Sequence, residues 1–192
     1  MRTDIKLKMH LESDAIFSRG MTGVDGTDLV IMCDKDGFPY YKGSSFKGIF
    51  REMMENYLLW TEQAENSNDV IQKYLGNSGD ATDGEHKIIF SDFVLSKDVR
   101  LIIKNEFMEN TYAIQQVFTS NRVFTEVTDG MTKEGSLRTI GVINKGINFY
   151  STINCAVEDV EQIMEIISFI KWVGSKRNRG FGKVKITRMK GE

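Results

Sequence analysis

The sequence predicts an α+β fold of the ferredoxin-like, RNA-recognition-motif-like kind, and three observations carry that expectation. Residues 5–12 alternate Ile5, Leu7, Met9 and Leu11 with Lys6, Lys8, His10 and Glu12, the period of a strand with one buried face. Two segments, from Phe46 to Leu58 and from Val160 to Val173, instead place apolar residues at three- and four-residue steps, as amphipathic helices do. With the polar insertions set aside, the order is strand, helix, strands, helix, strand, the split βαβ arrangement that RNA-recognition modules also use.

The first strand puts His10 on its polar face beside two lysines, with no second group nearby in sequence to make a catalytic pair, so it reads as a solvated residue. Residues 14–39 follow, rich in glycine and aspartate; the apolar run Leu29–Cys33 inside them reads as a short strand within a loop. The first helix begins at Ser44 or Ser45, either of which suits an N-cap. Its apolar face is Phe46, Ile49, Phe50, Met53, Met54, Tyr57 and Leu58, and Lys47, Arg51, Glu52 and Glu55 lie opposite. Residues 66–84 are turn formers around a short helical turn at Val70–Leu75 and are expected to be mobile.

His86–Leu95 reads as a strand, and Arg100–Asn105 and Tyr112–Val127 as further extended segments. Residues 128–135 form a turn-rich tip and Leu137–Ile143 a return strand, so that residues 112–146 are expected to project as a long hairpin. Ile147–Asn154 alternates as another strand. The second helix opens at Glu158 and Asp159, whose charges suit a helix start, and ends at Gly174. Val184 and Ile186 mark the last strand, with a basic outer face.

At 192 residues and 41% hydrophobic, the chain is expected to form a single domain, 1–192, with insertions at 14–39 and 66–84. No apolar run approaches membrane-spanning length and no export signal is visible, so a cytoplasmic protein without a membrane partner is the expectation. Cys33 and Cys155 make no metal-ligand pair and read as reduced thiols. The formal net charge is −2, unlike a general nucleic-acid binder, yet residues 171–190 contain no acid while carrying Lys171, Lys176, Arg177, Arg179, Lys183, Lys185, Arg188 and Lys190.

Two segments carry chemistry. The start of the first helix, Gly43-Ser44-Ser45 with Lys47 one turn in, offers N–H groups, hydroxyls and the positive end of a helix dipole to an anionic oxygen; the same residues equally describe an ordinary cap. Gly174–Gly182 offers close main-chain approach and three cations, Lys176, Arg177 and Arg179, to a phosphate backbone; a solvated basic turn fits the same residues. It is not a Walker A loop, because it leads into a strand and its spacing differs. Among the acids, Asp25 and Asp28 fit Asx turns in a glycine-rich loop, and Asp34 and Asp36 fit the turn at Gly37-Phe38-Pro39.

A resemblance sharpens these alternatives. Asp36-Gly37-Phe38-Pro39-Tyr40, running into Gly43-Ser44-Ser45-Phe46-Lys47-Gly48 and Arg51, looks like the signature of the RAMP superfamily of CRISPR proteins. Gly174–Gly182, followed by Lys183–Thr187, is similar to that superfamily's glycine-rich loop. Leu75-Gly76, Ile88–Asp92, Lys133–Leu137 and Gly146–Phe149 follow the family's order, so the resemblance spans nearly the whole chain. Lys42 departs from it, standing where the family has proline, and a looser turn is expected there.

The resemblance is to the small backbone subunits of type III effector complexes. It implies a RAMP domain that binds CRISPR RNA and the paired target RNA, assembled with copies of itself and other effector subunits. RNA would meet Gly43, Ser44, Ser45, Lys47 and Arg51 together with Gly174, Lys176, Arg177, Arg179, Gly180 and Gly182. The hairpin would be a thumb carrying Arg122, Phe124, Met131, Lys133 and Arg138. Asp28, with Asp25 as the alternative, would be the catalytic residue, and Asp28 would hold magnesium or manganese for endoribonucleolytic cleavage of the target. A non-catalytic scaffold of the same kind and a stand-alone enzyme processing repeat RNA are the competing readings.

Overall fold

A computed structural model describes residues 1–18, 30–61, 67–76, 86–125, 127–128, 131–132 and 138–189. Its centre is strand β1 (Arg2–Leu11), whose alternation buries Ile5, Leu7, Met9 and Leu11 as the sequence requires. Nine consecutive pairs, Arg2↔Ala156 to His10↔Asn148, join it antiparallel to β7 (Asn148–Ala156), and Leu7↔Arg188 to Leu11↔Val184 join it to β8 (Val184–Arg188) on its other side. The short β2 (Ile89–Phe90) completes a four-stranded sheet in the order β2-β7-β1-β8. All neighbours are antiparallel and two βαβ units interleave, which is the split βαβ topology.

Helices α1 (Gly43–Trp60) and α5 (Val160–Phe169) cover one face of this sheet. Phe46, Phe50, Met54 and Leu58 of the first, and Ile163, Ile166 and Ile167 of the second, join the inward residues of β1 in one buried cluster. The helical phase read from the sequence is therefore the phase that packs. α2 (Ser67–Leu75) buries Ile71 and Leu75 beneath α1 and is a full helix that takes in residues 67–69, beyond the short turn expected at 70–75. Among the described residues no helix is long and apolar enough to cross a membrane, and Cys33 and Cys155 form no disulfide.

Several local expectations are corrected. Residues 100–105 and 112–118 are helical, in α3 (Lys97–Glu106) and α4 (Thr111–Phe118), where extended chain was expected. The reason is capping: Ser96 Oγ accepts from Val99 N–H and Asn110 Oδ1 accepts from Ala113 N–H, two side-chain caps that override the strand preference of the β-branched residues following them. The second helix stops at Phe169, not Gly174, because Ile170 turns to extended backbone and is buried. Leu29–Cys33 is described only from residue 30, where isolated bridges Ser18↔Ile31 and Cys33↔Pro39 replace a regular strand.

After α4 the chain forms β3 (Thr119–Phe124), which pairs with β6 (Arg138–Ile143) from Thr119↔Ile143 to Phe124↔Arg138. The two-residue strands β4 (Val127–Thr128) and β5 (Met131–Thr132) pair farther out along the same hairpin. Its base is tied to the main body by the Ala15↔Ile143 bridge and by a small apolar cluster of Ile16, Ile140 and Val142, against which Phe124 and Phe181 pack.

Candidate nucleic-acid interface

The glycine-rich loop leaves β-bridged chain at Trp172 and re-enters it at Lys183, so its two ends are held together like a hairpin. Val173 N–H donates to Gly182 O at 2.8 Å, Gly182 N–H to Asp14 O at 2.8 Å and Ser175 N–H to Ile16 O at 3.0 Å, fastening the loop base to the segment after β1. Only glycine fits at Gly182, which has φ +77° and no room for a side chain between itself and Val173. Within the loop Arg177–Arg179 makes a single 3₁₀ turn that begins at left-handed Lys176 (φ 55°) and ends at Gly180 (φ 84°). This shape leaves Arg177, Arg179 and Gly180 exposed to solvent.

The loop meets α1. Arg177 Nη1 lies 3.5 Å from Glu52 Oε2, and Ser45, Ile49, Gly174, Ser175 and Arg177 together line a cleft of about 210 Å³ floored by Phe17 and Tyr41. The two segments that the sequence singled out for anion binding, 130 residues apart, thus share one wall. Tyr41, which sequence reading passed over, is buried beneath the site and lines its cleft. Its ring packs tilted against Phe17 at 4.5 Å, and burial pushes its phenol up to about 12 against the opposing pull of the Gly174 N–H and the Arg177 charge. Nothing local marks Tyr41 apart from Tyr40; only the fold turns one inward.

The helix start is built differently from the sequence expectation. Neither Ser44 nor Ser45 is the cap: Lys42 occupies that position, and the Gly43 N–H donates to Asp92 Oδ1 at 2.8 Å, a carboxylate contributed from beyond β2. Ser45 and Phe46 N–H both donate to Lys42 O, so three donors of the first turn are already committed. Gly43 is buried there, and a Cβ would meet Phe90 O at 2.5 Å, so the position requires glycine. Replacing Asp92 with alanine is expected to cost about 1 kcal/mol of stability, as loss of an N-cap does, while Asp92→Asn retains most of it; urea unfolding of the two variants checks this.

Lys47 and Arg51 lie on the opposite flank of α1 from the loop. Arg51 donates to Gly76 O at 2.8 Å, and Lys47 titrates below its ordinary value through burial and then through the charges of Arg51 and Lys87. The structure therefore brings Ser45 to the loop and sets Lys47 and Arg51 in a separate basic group. Asp34 forms the expected turn, accepting from Asp36 and Phe38 N–H at 2.9 and 3.1 Å, and Arg100 clasps it at 2.6 Å.

Of the thumb residues, Arg122 points back to the body, donating to Asp14 Oδ2 at 2.6 Å, and Phe124 rests against Phe181 at 5.7 Å with the Lys176 ammonium 5.5 Å above its ring. Arg138 is exposed at the outer end of β6, opposite Phe124, and Met131 is placed by its backbone in β5. Lys133, Asp25 and Asp28 lie outside the described residues. Among the described residues no three His, Cys, Asp or Glu side chains are grouped to hold a metal ion.

A split βαβ sheet bearing a basic, glycine-rich loop beside its first helix defines a ferredoxin-like domain. The protein belongs to the RAMP superfamily, whose family model matches residues 22–185. Two solved structures share the fold over nearly the whole chain. One is a chain of the type III-B Cmr-beta complex bound to cognate target RNA, at 13% identity and a TM-score of 0.68, with 97% of each chain covered. The other is a chain of type III-B Cmr-beta in its apo state, at 15% identity and a TM-score of 0.66, again with 97% of each covered. No curated protein sequence matches the chain.

Proposed function

We propose that this protein binds CRISPR RNA as a repeated backbone subunit of a type III effector complex and lies along the guide and its paired target. The observation that carries the reading is that Arg177 shares one cleft with Ser45 and Ile49 of α1, while the exposed Arg179 belongs to the same 3₁₀ turn. Phosphates attract such cations by releasing counterions, without regard to sequence. Membership of the RAMP superfamily and the fold shared with the Cmr-beta chains support it. The purified protein is expected to carry RNA and to form polymers or to associate with other effector subunits. A protein recovered as an RNA-free monomer that turns over repeat RNA would replace this reading with a processing enzyme.

Cleavage of the target belongs to the same proposal, with Asp28, or Asp25 in its place, as the residue that would hold magnesium or manganese. A divalent ion there supplies charge stabilisation to the reacting phosphate. Asp28→Ala is expected to leave guide binding intact, since removing a negative charge near RNA does not weaken it, and to abolish divalent-dependent cleavage of a matched target. Asp25→Ala is the paired control. Cleavage at the wild-type rate by both variants and by the double variant would remove these acids from the chemistry. Failure of the wild-type complex to cut leaves a non-catalytic scaffold.

A further inference from the structure

Among the described residues, α1 and α5 cover one face of the sheet, and the side chains of Lys6, Lys185 and Thr187 on the other face are exposed. Residues Lys6, Lys8 and His10 of β1, Asn148, Tyr150 and Thr152 of β7, and Lys185 and Thr187 of β8 project to the other, opposite the apolar residues that α1 and α5 bury. The register makes them neighbours: Lys8 sits between Tyr150 and Thr187, and His10 between Asn148 and Lys185. None of Lys6, Lys8 and Lys185 has an ion-pair partner among the described residues. The acids of this face stand at its two ends and are engaged, Asp4 accepting from Asn154 Nδ2 at 2.7 Å and Glu12 pairing with Lys183 at 3.2 Å. In a chain of formal net charge −2, this is a concentrated cationic surface with an aromatic ring at its middle.

The face is also continuous with the glycine-rich loop. Lys183 joins the loop to β8, and a cleft of about 360 Å³ lined by Glu12, Lys145, Gly180, Phe181 and the paired Asp14 and Arg122 opens where the loop and the sheet meet. The geometry points to the open face as a second binding track, for single-stranded RNA leaving the loop. Lys6, Lys8 and Lys185 meet its phosphates, Tyr150 stacks a base, and Asn148, Thr152 and Thr187 offer hydrogen bonds to base or ribose edges. From His10 to Lys6 the strand spans about 13 Å, enough to hold a short unpaired segment. A polyanion is the occupant that suits unpaired lysines around one ring; an apolar partner would meet charge. This inference rests on the RNA-binding reading of the loop and extends it.

The test compares two triple variants on a labelled long oligouridylate, Lys6→Ala/Lys8→Ala/Lys185→Ala on the face and Lys176→Ala/Arg177→Ala/Arg179→Ala on the loop. The face variant is expected to lose roughly ten-fold in affinity and to flatten the salt dependence by up to about 2, since each single-strand phosphate contact contributes about 0.7 to the slope. Photo-crosslinking of 4-thiouridine RNA to the wild-type protein is expected to map to Tyr150, and Tyr150→Leu to lose both the crosslink and about ten-fold in affinity. An unchanged slope in a folded face variant, with no crosslink at Tyr150, overturns the track; if the loop variant alone is weakened, the RNA reading of the loop stands, and if neither is, that reading falls too. A face variant that binds oligouridylate normally but no longer assembles into polymers marks a protein-docking face and also overturns it. Should the face variant fail to fold, the wild-type crosslink decides.

Discussion

Gly182→Ala is expected to be the most damaging single methyl addition in the described part of this protein, costing about 3 kcal/mol or more of stability and lowering the melting temperature by roughly 10 °C. Two effects add at this residue. Its φ of +77° is unfavourable to any L side chain, and a Cβ there would overlap the Val173 carbonyl, whose own N–H is held by Gly182 O at 2.8 Å. Neither neighbour has freedom to retreat, because Val173 is fully buried and the Gly182 N–H is bound to Asp14 O. Gly180→Ala is the internal control. Its φ of +84° is just as unfavourable, yet a Cβ there meets open space, so the cost is about 1 kcal/mol. Thermal unfolding of the two variants measures the difference, and equal stability would show that the loop base is not clamped.

Replacing Lys176, Arg177 and Arg179 together with alanine is expected to weaken RNA binding roughly 30- to 100-fold at moderate salt and to reduce the salt slope by about 2. The loss should be uniform across RNA sequences, because phosphate contacts position a strand without reading its bases. Stability should change little: Arg177 pairs with Glu52 at 3.5 Å on the surface, where such pairs contribute only about 0–1 kcal/mol, and Arg179 has no ion-pair partner among the described residues. Lys176 also rests over Phe124, so the variant loosens the contact between loop and hairpin. A folded variant with an unchanged slope would take this loop out of the interface.

The tests separate because the loop's functions are physically separate. Gly174 and Gly182 shape it through backbone geometry, whereas Arg177 and Arg179 point outward and carry charge. A structural defect therefore appears in unfolding, and a binding defect in salt dependence.

Local sequence specifies whatever depends on neighbours a few residues apart. The alternation of Ile5 to Leu11, the stripe from Phe46 to Leu58 and that from Val160 to Ile167 are periodic because a strand or helix repeats its own geometry, and each packs on the face its period named. The basic glycine loop and its family likeness were legible for the same reason, being contiguous. Residues 97–118 misled because their β-branched run outweighed, on inspection, the two caps at Ser96 and Asn110 that decide their state. Tertiary structure alone decided that Asp92 caps a helix 49 positions away, that Tyr41 and not Tyr40 closes against Gly174, and that Ser45 faces the loop while Lys47 and Arg51 turn from it. Those contacts join segments whose separation leaves no local period, so they exist only once the sheet has brought the segments together.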